Sequence, residues 1–429
     1  MKVHLKALGC RLNEAELEQW SRDFSKEGHS IVKDAVEADV VVLNTCAVTT
    51  EATKKSRKSI NRIHRENPQS KLVVSGCYAT LEEKEVAERL GVDLVVNNQD
   101  KDKLPEKVMS EFSANTMPLV AMEPAETSLF LRGKQRAFIK IQDGCRYRCT
   151  FCIVTVARGD ERSRQLADII DEVNALHQKG IQEVVLTGVH VGGYGSEIDS
   201  SLYELVSLLL KETEIPRIRF ASVEPWDLPE AFFGLFENTR LMPHMHLPLQ
   251  SGADSVLRRM SRRCKIDDFS NLVSQARSVI PDFNVTTDII VGFPGETKEE
   301  WSQTMEAIEK IGFGHIHIFS YSPREGTKAS RLANPVSNEI KKERSLELHQ
   351  LADRLKLEML QQQLNKSVDV LWESPKNNEL GLVRYEGYTP NFCRVETFVE
   401  NTVLLESKVK NTRLTELSSS KGLLSGKIL

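Results

Sequence analysis

The sequence lacks several features that mark whole classes of protein. Its 429 residues contain no apolar run long enough to cross a membrane, and the opening MKVHLKALGC is typical of a core strand rather than a signal peptide. The net charge is only −4, so the chain as a whole does not attract polyanions. No repeat recurs at the periods of solenoids or propellers. These absences exclude membrane-spanning and repeat architectures, and they predict a soluble, cytoplasmic protein.

Cysteine is also scarce. Eight cysteines in 429 residues do not form the dense disulfide framework of small secreted domains, which indicates a reducing compartment. Cys264 and Cys393 stand alone among basic, aliphatic or aromatic neighbours, and we interpret both as unligated. The other six fall into two triplets, and these carry most of the functional information.

The first triplet is Cys145, Cys149 and Cys152 in the segment DGCRYRCTFC. Three thiolates hold three corners of a four-iron cluster and leave one iron for a ligand that is not protein. The alternative is a zinc site completed by a distant fourth residue. The spacing favours iron and sulfur, because structural zinc sites usually have pairs of closely spaced cysteines.

The second triplet is spread along the N-terminal region. Cys10, Cys46 and Cys77 each end an apolar, β-branched run, and helical patterns follow at residues 13–27, 49–67 and 81–90. Alternating strands and helices predict a doubly wound parallel sheet, whose strands all end at the same edge. The three thiols should therefore converge as a second open ligand set. The alternative is that three core cysteines happen to end strands.

The rest of the chain divides into two further regions. A segment at residues 115–127, which is interrupted by Pro118 and Pro124, predicts a linker. Regular alternation of strands with helices then predicts a (β/α)6 partial barrel, with its site at the carboxyl ends of the strands. A helix at 338–364 and short strands predict a small all-β barrel of the OB type, a fold that commonly binds nucleic acid. The strand candidates are 138–142, 183–189, 217–222, 244–249, 284–292 and 315–322, then 368–373, 381–385, 394–399 and 402–406.

Basic residues concentrate in three segments, 51–67, 256–265 and 407–429. Such runs are usually solvated helix faces. Three of them in an acidic protein are also the pattern of a partner with a phosphate backbone. Both interpretations stay open at this point.

Several motifs together resemble one family, the methylthiotransferases of the radical S-adenosylmethionine (SAM) class. The resemblance covers essentially the whole chain and implies three domains: a cluster-binding domain at 1–112, a radical SAM core at 131–362 and a TRAM-like domain at 365–429. The segments NTCAVT, SGCYAT and SYSPREGT resemble most the branch that modifies threonylcarbamoyladenosine in tRNA. The matching stretches are ALGCRLNEAE, LNTCAVTTEATKKSRK, VVSGCYAT, QDGCRYRCTFCIVTVARG, HLPLQSGADSVLRRM, TTDIIVGFPGET and SYSPREGTKAS.

The resemblance implies two [4Fe-4S] clusters, one on each cysteine triplet, together with SAM. Phe151 matches an aromatic position near the adenine of SAM, while Gln250, Ile290 and Gly292 resemble positions that contact its ribose and adenine. Thr187 and Gly188 end a predicted strand, where a glycine allows close approach to the cofactor. The alternative is that these glycines only turn the chain. Three arginines beyond the cysteine loop either meet a carboxylate or phosphate or are ordinary surface residues: Arg158, Arg162 and Arg164.

The implied reaction has two halves. The Cys145 cluster would generate a 5′-deoxyadenosyl radical that abstracts hydrogen from the adenine C2 carbon, and the Cys10 cluster would hold a sulfur methylated by a second SAM. The implied substrate is the modified adenosine 3′-adjacent to the anticodon, in the anticodon stem-loop of tRNA. We expect a monomer with no membrane contact, whose electron donor and sulfur source the sequence leaves open.

Two alternatives remain at this level. One is a methylthiotransferase for isopentenyladenosine in tRNA or for a ribosomal-protein aspartate. The other is a non-catalytic metal-containing protein that binds RNA. The missing fourth ligand in both triplets argues against this second possibility, because structural metal sites are usually closed.

Overall fold

The computed structural model describes residues 1–112, 135–379, 382–419 and 422–429. The predicted linker at 115–127 lies outside the described residues. None of the described helices combines the length and hydrophobicity that a membrane crossing requires.

The N-terminal region folds into a five-stranded, all-parallel sheet in the order β2-β1-β3-β4-β5. Helices cover both faces, and all six residues of β3 are buried in consequence. The doubly wound prediction is therefore confirmed. The strands are β1 (Lys2–Ala7), β2 (Ser30–Ile31), β3 (Val40–Thr45), β4 (Lys71–Gly76) and β5 (Leu94–Val96). The helices are α1 (Arg11–Lys26), α2 (Thr50–Glu66), α3 (Cys77–Leu81), α4 (Glu83–Arg89) and α5 (Leu104–Phe112).

One helix of this region differs from its prediction. The pattern at 81–90 predicted a single helix, whereas the chain forms two short ones, α3 and α4, and α3 already begins at Cys77. Gly76 explains the early start: its φ of +97° turns the chain at the end of β4, a conformation that other residues rarely adopt.

The central region is an open barrel of six parallel strands, as predicted. It consists of two three-stranded sheets, β6-β9-β10 and β11-β12-β13, connected by a bridge between Ile218 and Leu241. The barrel strands are β6 (Arg136–Lys140), β9 (Glu183–Thr187), β10 (Arg217–Phe220), β11 (His244–His246), β12 (Asn284–Val291) and β13 (His315–Ser320). A separate antiparallel pair consists of β7 (Gln142–Asp143) and β8 (Arg162–Ser163). The helices are α6 (Val154–Arg158), α7 (Leu166–Gln178), α8 (Leu202–Glu212), α9 (Asp254–Arg259), α10 (Ile266–Val279), α11 (Lys298–Ile311) and α12 (Asn338–Gln361).

The C-terminal region is a small β barrel in the order β14-β18-β19-β17-β16-β15, closed by pairing of β14 with β16. The predicted strand at 402–406 is wrong, because these residues form an irregular loop with a turn at each end. The strands β15, β18 and β19 were not predicted. In β18 only Thr412 and Leu414 are buried among polar neighbours, so its apolar alternation is weak. The strands are β14 (Ser367–Trp372), β15 (Lys376–Glu379), β16 (Leu382–Tyr388), β17 (Arg394–Glu400), β18 (Val409–Leu417) and β19 (Leu424–Ile428).

The C-terminal barrel packs against the amino ends of the central strands. The side chain of Arg217, the first residue of β10, donates to the carbonyl of Asp369 at 2.6 Å. Asn284, the first residue of β12, donates to the carbonyl of Asn391 at 2.8 Å. The carboxyl ends of the central strands are thereby left facing the N-terminal domain.

Candidate active site

A cavity of about 840 Å³ lies between the N-terminal sheet and the open barrel. It is lined by residues that follow the carboxyl ends of strands in both regions. All six cysteines of the two triplets are among its lining residues: Cys10, Cys46, Cys77, Cys145, Cys149 and Cys152. The convergence expected from parallel topology is confirmed, and both triplets face one space.

The loop that carries Cys145, Cys149 and Cys152 is fixed by its own backbone. The amide of Cys145 donates to the carbonyl of Gly159 at 3.1 Å, and that of Cys152 donates to the carbonyl of Cys149 at 3.0 Å. Gly144 enters the loop with a φ of +72°, and a Cβ there would lie 1.9 Å from the carbonyl oxygen of Asp160. Only glycine permits this close approach, so the path of the chain into the loop depends on Gly144.

The second triplet is held just as closely. A Cβ on Gly9, whose φ is +97°, would lie 2.6 Å from the sulfur of Cys46, so glycine is required next to Cys10 as well. The hydroxyl of Ser56 accepts from the amide of Cys46 and donates to its carbonyl, which anchors this residue to α2. The side-chain amide of Asn98 lies 3.9 Å from the sulfur of Cys77.

The thiols are arranged for a group that carries positive charge. Burial raises the pKa of Cys46 to about 11, that of Cys145 to about 12 and that of Cys152 to about 11. Burial also raises the pKa of Cys10, which is accessible from the cavity but surrounded by protein; the charge of Arg158 opposes this shift, and a Cys77 thiolate adds to it. Thiolate ligands at these positions therefore require a metal centre to compensate them.

The spread of the sulfurs separates a cluster from a single ion. Three sulfurs bound to one zinc ion at about 2.3 Å are only ~3.8 Å apart. Among the described residues, neither cysteine triplet belongs to the groups whose ligand atoms all lie within 4.8 Å of one another. The wider spacing fits a multi-iron cluster better than zinc.

Four of the six predicted SAM contacts line the cavity, namely Phe151, Thr187, Gly188 and Gln250. Gln250 has a φ of +76°, a conformation that costs a non-glycine residue about 1–3 kcal/mol and concentrates at functional sites. A Cβ on Gly188 would lie 2.9 Å from the side-chain oxygen of Gln142, so this glycine makes room for a protein side chain.

The other two predicted contacts, Ile290 and Gly292, are not among the residues that line the cavity. Ile290 is buried in an apolar cluster against which Phe151 packs, so it supports the cavity wall. Gly292 has a φ of +73° and sits under the side chain of Lys341. The contact of both residues with the cofactor stays a prediction.

The three arginines after the cysteine loop all have partners inside the protein. Arg164 pairs with Glu172 at 2.6 Å, and the half-exposed Arg162 lies 3.8 Å from Asp143. Arg158 is only 2 % exposed, so its interpretation as a surface residue is wrong.

Arg158 connects the two domains behind the cysteines. Its guanidinium lies 3.0 Å from Glu16 of α1 and 2.9 Å from Asp143 of the barrel. Lys101 makes a second buried ion pair with Glu16 at 2.5 Å. Burial alone would raise the pKa of Glu16, but the charges of Arg158 and Lys101 outweigh burial and hold it well below its usual range. The pairing fixes Cys10, at the start of α1, relative to the barrel.

A second polar network was not predicted from the sequence. His190 is fully buried and bridges two carboxylates, Glu161 through Nδ1 and Asp227 at 2.6 Å through Nε2. Burial would lower the pKa of His190, but these carboxylates and Glu224 raise it. Tyr147, within the cysteine loop, donates its hydroxyl to Asp227 at 2.9 Å. The sequence position of two members could have indicated this network, because His190 and Glu224 closely follow the carboxyl ends of β9 and β10.

The open parallel barrel with three cysteines in a loop after its first strand defines a radical SAM enzyme. A profile of the Radical SAM superfamily matches residues 139–308, and one of an uncharacterized protein family, UPF0004, matches residues 2–97. The solved structure of the radical SAM methyltransferase TsrM from Kitasatospora setae has the same fold, with a TM-score of 0.57, 16 % identity and 77 % of each chain covered.

Two curated relatives narrow this class. The threonylcarbamoyladenosine tRNA methylthiotransferase MtaB of Thermotoga maritima is 36 % identical over 86 % of each chain. The tRNA-2-methylthio-N(6)-dimethylallyladenosine synthase of Oceanobacillus iheyensis is 34 % identical over 90 % of this chain and 77 % of its own. The chain belongs to the radical SAM methylthiotransferase family, whose cofactors are [4Fe-4S] clusters and SAM.

Proposed function

We propose that the protein methylthiolates N6-threonylcarbamoyladenosine in the anticodon stem-loop of cytoplasmic tRNA, giving the 2-methylthio derivative. The observation that carries this proposal is the single cavity lined by both cysteine triplets. A substrate base bound there is accessible from both sets of thiols without leaving the site. The MtaB relative supports threonylcarbamoyladenosine, and the dimethylallyladenosine relative keeps the isopentenyl-type substrate as the second candidate.

The residues have separate tasks in this proposal. Cys145, Cys149 and Cys152 hold one cluster, and Cys10, Cys46 and Cys77 hold the other. When bound, the clusters and SAM supply the radical and sulfur-transfer chemistry, which protein side chains do not provide.

The protein around the thiols contributes positioning. The ion pairs of Arg158 keep the two triplets in one arrangement, and the strained backbone of Gln250 presents its side chain to the cavity. The apolar cluster behind Phe151 keeps water out of the wall. The substrate therefore meets a site whose shape is already fixed.

A basic helix flanks the entrance of the cavity. The hydroxyl of Thr50, the first residue of α2, lies 2.9 Å from that of Ser322, just after β13 of the barrel. Lys54, Lys55 and Lys58 on this helix are exposed and have no acidic partner among the described residues. In this proposal the three lysines contact the phosphates of an RNA that enters the cavity, and such contacts position the RNA without reading its sequence.

The test compares nucleosides in tRNA from cells with and without the protein. Mass spectrometry should find the 2-methylthio derivative of threonylcarbamoyladenosine in cells that carry it and only the unmodified parent in cells that lack it. A Cys46→Ala protein should give no methylthio product and still cleave SAM reductively, because the Cys145 triplet is intact. Loss of a methylthio group from isopentenyladenosine instead would establish the second candidate.

A further inference from the structure

Five arginines line the cavity among the described residues, and four of them have fixed roles within the wall. Three are in ion pairs with buried or half-buried carboxylates, and the fourth lies beside a cysteine of the first triplet. Their partners are Glu373 for Arg136, Glu16 and Asp143 for Arg158, Glu183 for Arg219, and the carbonyl of Pro248 with the sulfur of Cys149 for Arg262.

The fifth, Arg11, is different. It follows Cys10 directly as the first residue of α1, and its side chain is 56 % exposed. Its ion pair is with Glu14 at 3.1 Å on the same exposed helix turn, and such pairs contribute little. The guanidinium lies 5.1 Å from the ring centre of Phe138 on β6, so it reaches from the N-terminal domain across to the barrel. Arg11 thus presents a weakly paired positive charge to the substrate space.

The facing wall is polar. His317 on the edge strand β13 stands next to His246, with ring centres 5.5 Å apart, and Nε2 of His246 lies 3.2 Å from Asp288. Burial lowers the pKa of His317, and the charge of Arg11 is one of the further causes, so the two side chains are within each other's electrostatic field. His317 and Arg11 line the same cavity, so an imidazole and a permanent cation are both available there.

We propose that Arg11, assisted by His317, binds the carboxylate of the threonylcarbamoyl group. This inference rests on the function proposed above. Threonine joined to adenosine through its amine by a carbamoyl link keeps its carboxylate free, whereas a dimethylallyl group carries no charge. A guanidinium binds a carboxylate through two parallel hydrogen bonds, which adds geometric selection to the charge. Arg11 then selects the acidic substrate over the apolar one.

The experiment uses the full-length protein with both clusters loaded and two synthetic stem-loop RNAs. One carries threonylcarbamoyladenosine and the other its methyl ester, in which the carboxylate is neutral. The wild-type protein should bind the acid about tenfold to a hundredfold more tightly than the ester, the range for a hydrogen bond to a charged group. Arg11→Gln should bind both RNAs with the affinity that the wild type has for the ester.

Two further variants sharpen the comparison. Arg11→Lys keeps the charge without the planar fork, so part of the preference should remain. Arg354→Gln is the control, because Arg354 is 49 % exposed, pairs with Glu358 on the same helix and with Glu309 on α11, and does not line the cavity. It should keep the full preference. If Arg11→Gln fails to retain iron, the test rests on Arg11→Lys, and a full wild-type preference in that variant would overturn the inference.

Equal affinity of the wild type for acid and ester would overturn the inference, as would an Arg11→Gln protein with the full preference. Failure of the proposed function looks different. In that case the wild type forms no methylthio product from the acid RNA, yet forms it from a stem-loop that carries dimethylallyladenosine. Product and affinity are measured separately, so the two failures are distinguishable.

Discussion

Replacing Arg158 by methionine should destabilise the junction between the N-terminal domain and the barrel. Arg158 is almost fully buried and lies within 3.0 Å of Glu16 and 2.9 Å of Asp143. Methionine fills similar space but leaves both carboxylates buried with fewer partners. Lys101 still compensates Glu16, so Asp143 loses most. Removing one member of a buried ion pair costs about 3–5 kcal/mol.

The expected loss converts into a measurable shift of the melting temperature. For units of 150–250 residues each kcal/mol corresponds to about 2–4 °C, so the transition should fall by ~6–20 °C. Tryptophan fluorescence suits the assay, because Trp20 is buried and its indole donates to the carbonyl of Lys101 at 3.1 Å, next to the network. Arg62→Met, which removes an exposed pair with Glu66, should leave the melting temperature nearly unchanged.

A double variant separates charge from packing. Arg158→Met combined with Asp143→Asn removes the carboxylate that loses most and should recover a large part of the lost stability, since a neutral amide is cheaper to bury. Glu16 is left unchanged because the buried Lys101 needs its charge. The reasoning is refuted if Arg158→Met melts within about 2 °C of the wild type. It is also refuted if the double variant is no more stable than the single one.

Three further outcomes are expected. Replacing Cys145, Cys149 and Cys152 by alanine should halve the iron content from about eight irons per chain and leave the absorption of the second cluster unchanged. Loss of both clusters from a protein that is still folded would disprove independent sites. Replacing Lys54, Lys55 and Lys58 by glutamate should weaken tRNA binding and reduce the dependence of the affinity on salt concentration, because fewer counterions are released. A variant with the affinity and salt dependence of the wild type would identify α2 as a solvated face. Hydrogen bonds from Arg259 lower the pKa of Glu300 from 4.5 to about 2, so its stabilisation is present above pH 4.5 and lost as the pH falls towards 2. The Glu300→Gln variant should accordingly lose less thermal stability than the wild type as the pH falls through this range. Parallel plots of melting temperature against pH for the two proteins would contradict the assignment.

The strand pattern predicted most of the fold and the convergence of the cysteines. Apolar β-branched runs such as β3 mark strands locally, and parallel topology then places Cys10, Cys46 and Cys77 at one edge without any knowledge of distances. The ion network could not be predicted in this way. Arg158 and Glu16 are 142 residues apart, and neither lies in a pattern that indicates burial. Pairings between domains depend on how the domains dock, which periodicity does not encode.

The C-terminal barrel shows why a fold that commonly binds nucleic acid does not by itself locate the RNA. Phe392, with a φ of +67°, stacks on His244 at 4.6 Å between ring centres and on Tyr388 at 4.7 Å, and the guanidinium of Arg219 lies 4.7 Å from its ring. Trp372 is buried in the barrel core. These aromatic surfaces seal the amino ends of the central strands and are not free to stack on bases.

The seal at the amino ends of the central strands restricts the side from which a substrate can enter the cavity. Phe392 lines the amino end of the cavity. In the described part of the chain, the approach that remains is from the carboxyl ends, where both cysteine triplets and Arg11 lie. The helix α2 begins at this approach, and its contact between Thr50 and Ser322 connects it to the barrel rim. In the proposed function, a stem-loop that inserts one base between the triplets would have its backbone against the exposed lysines of α2. The N-terminal domain would then recognise the phosphates through α2 and the substituent on the base through Arg11.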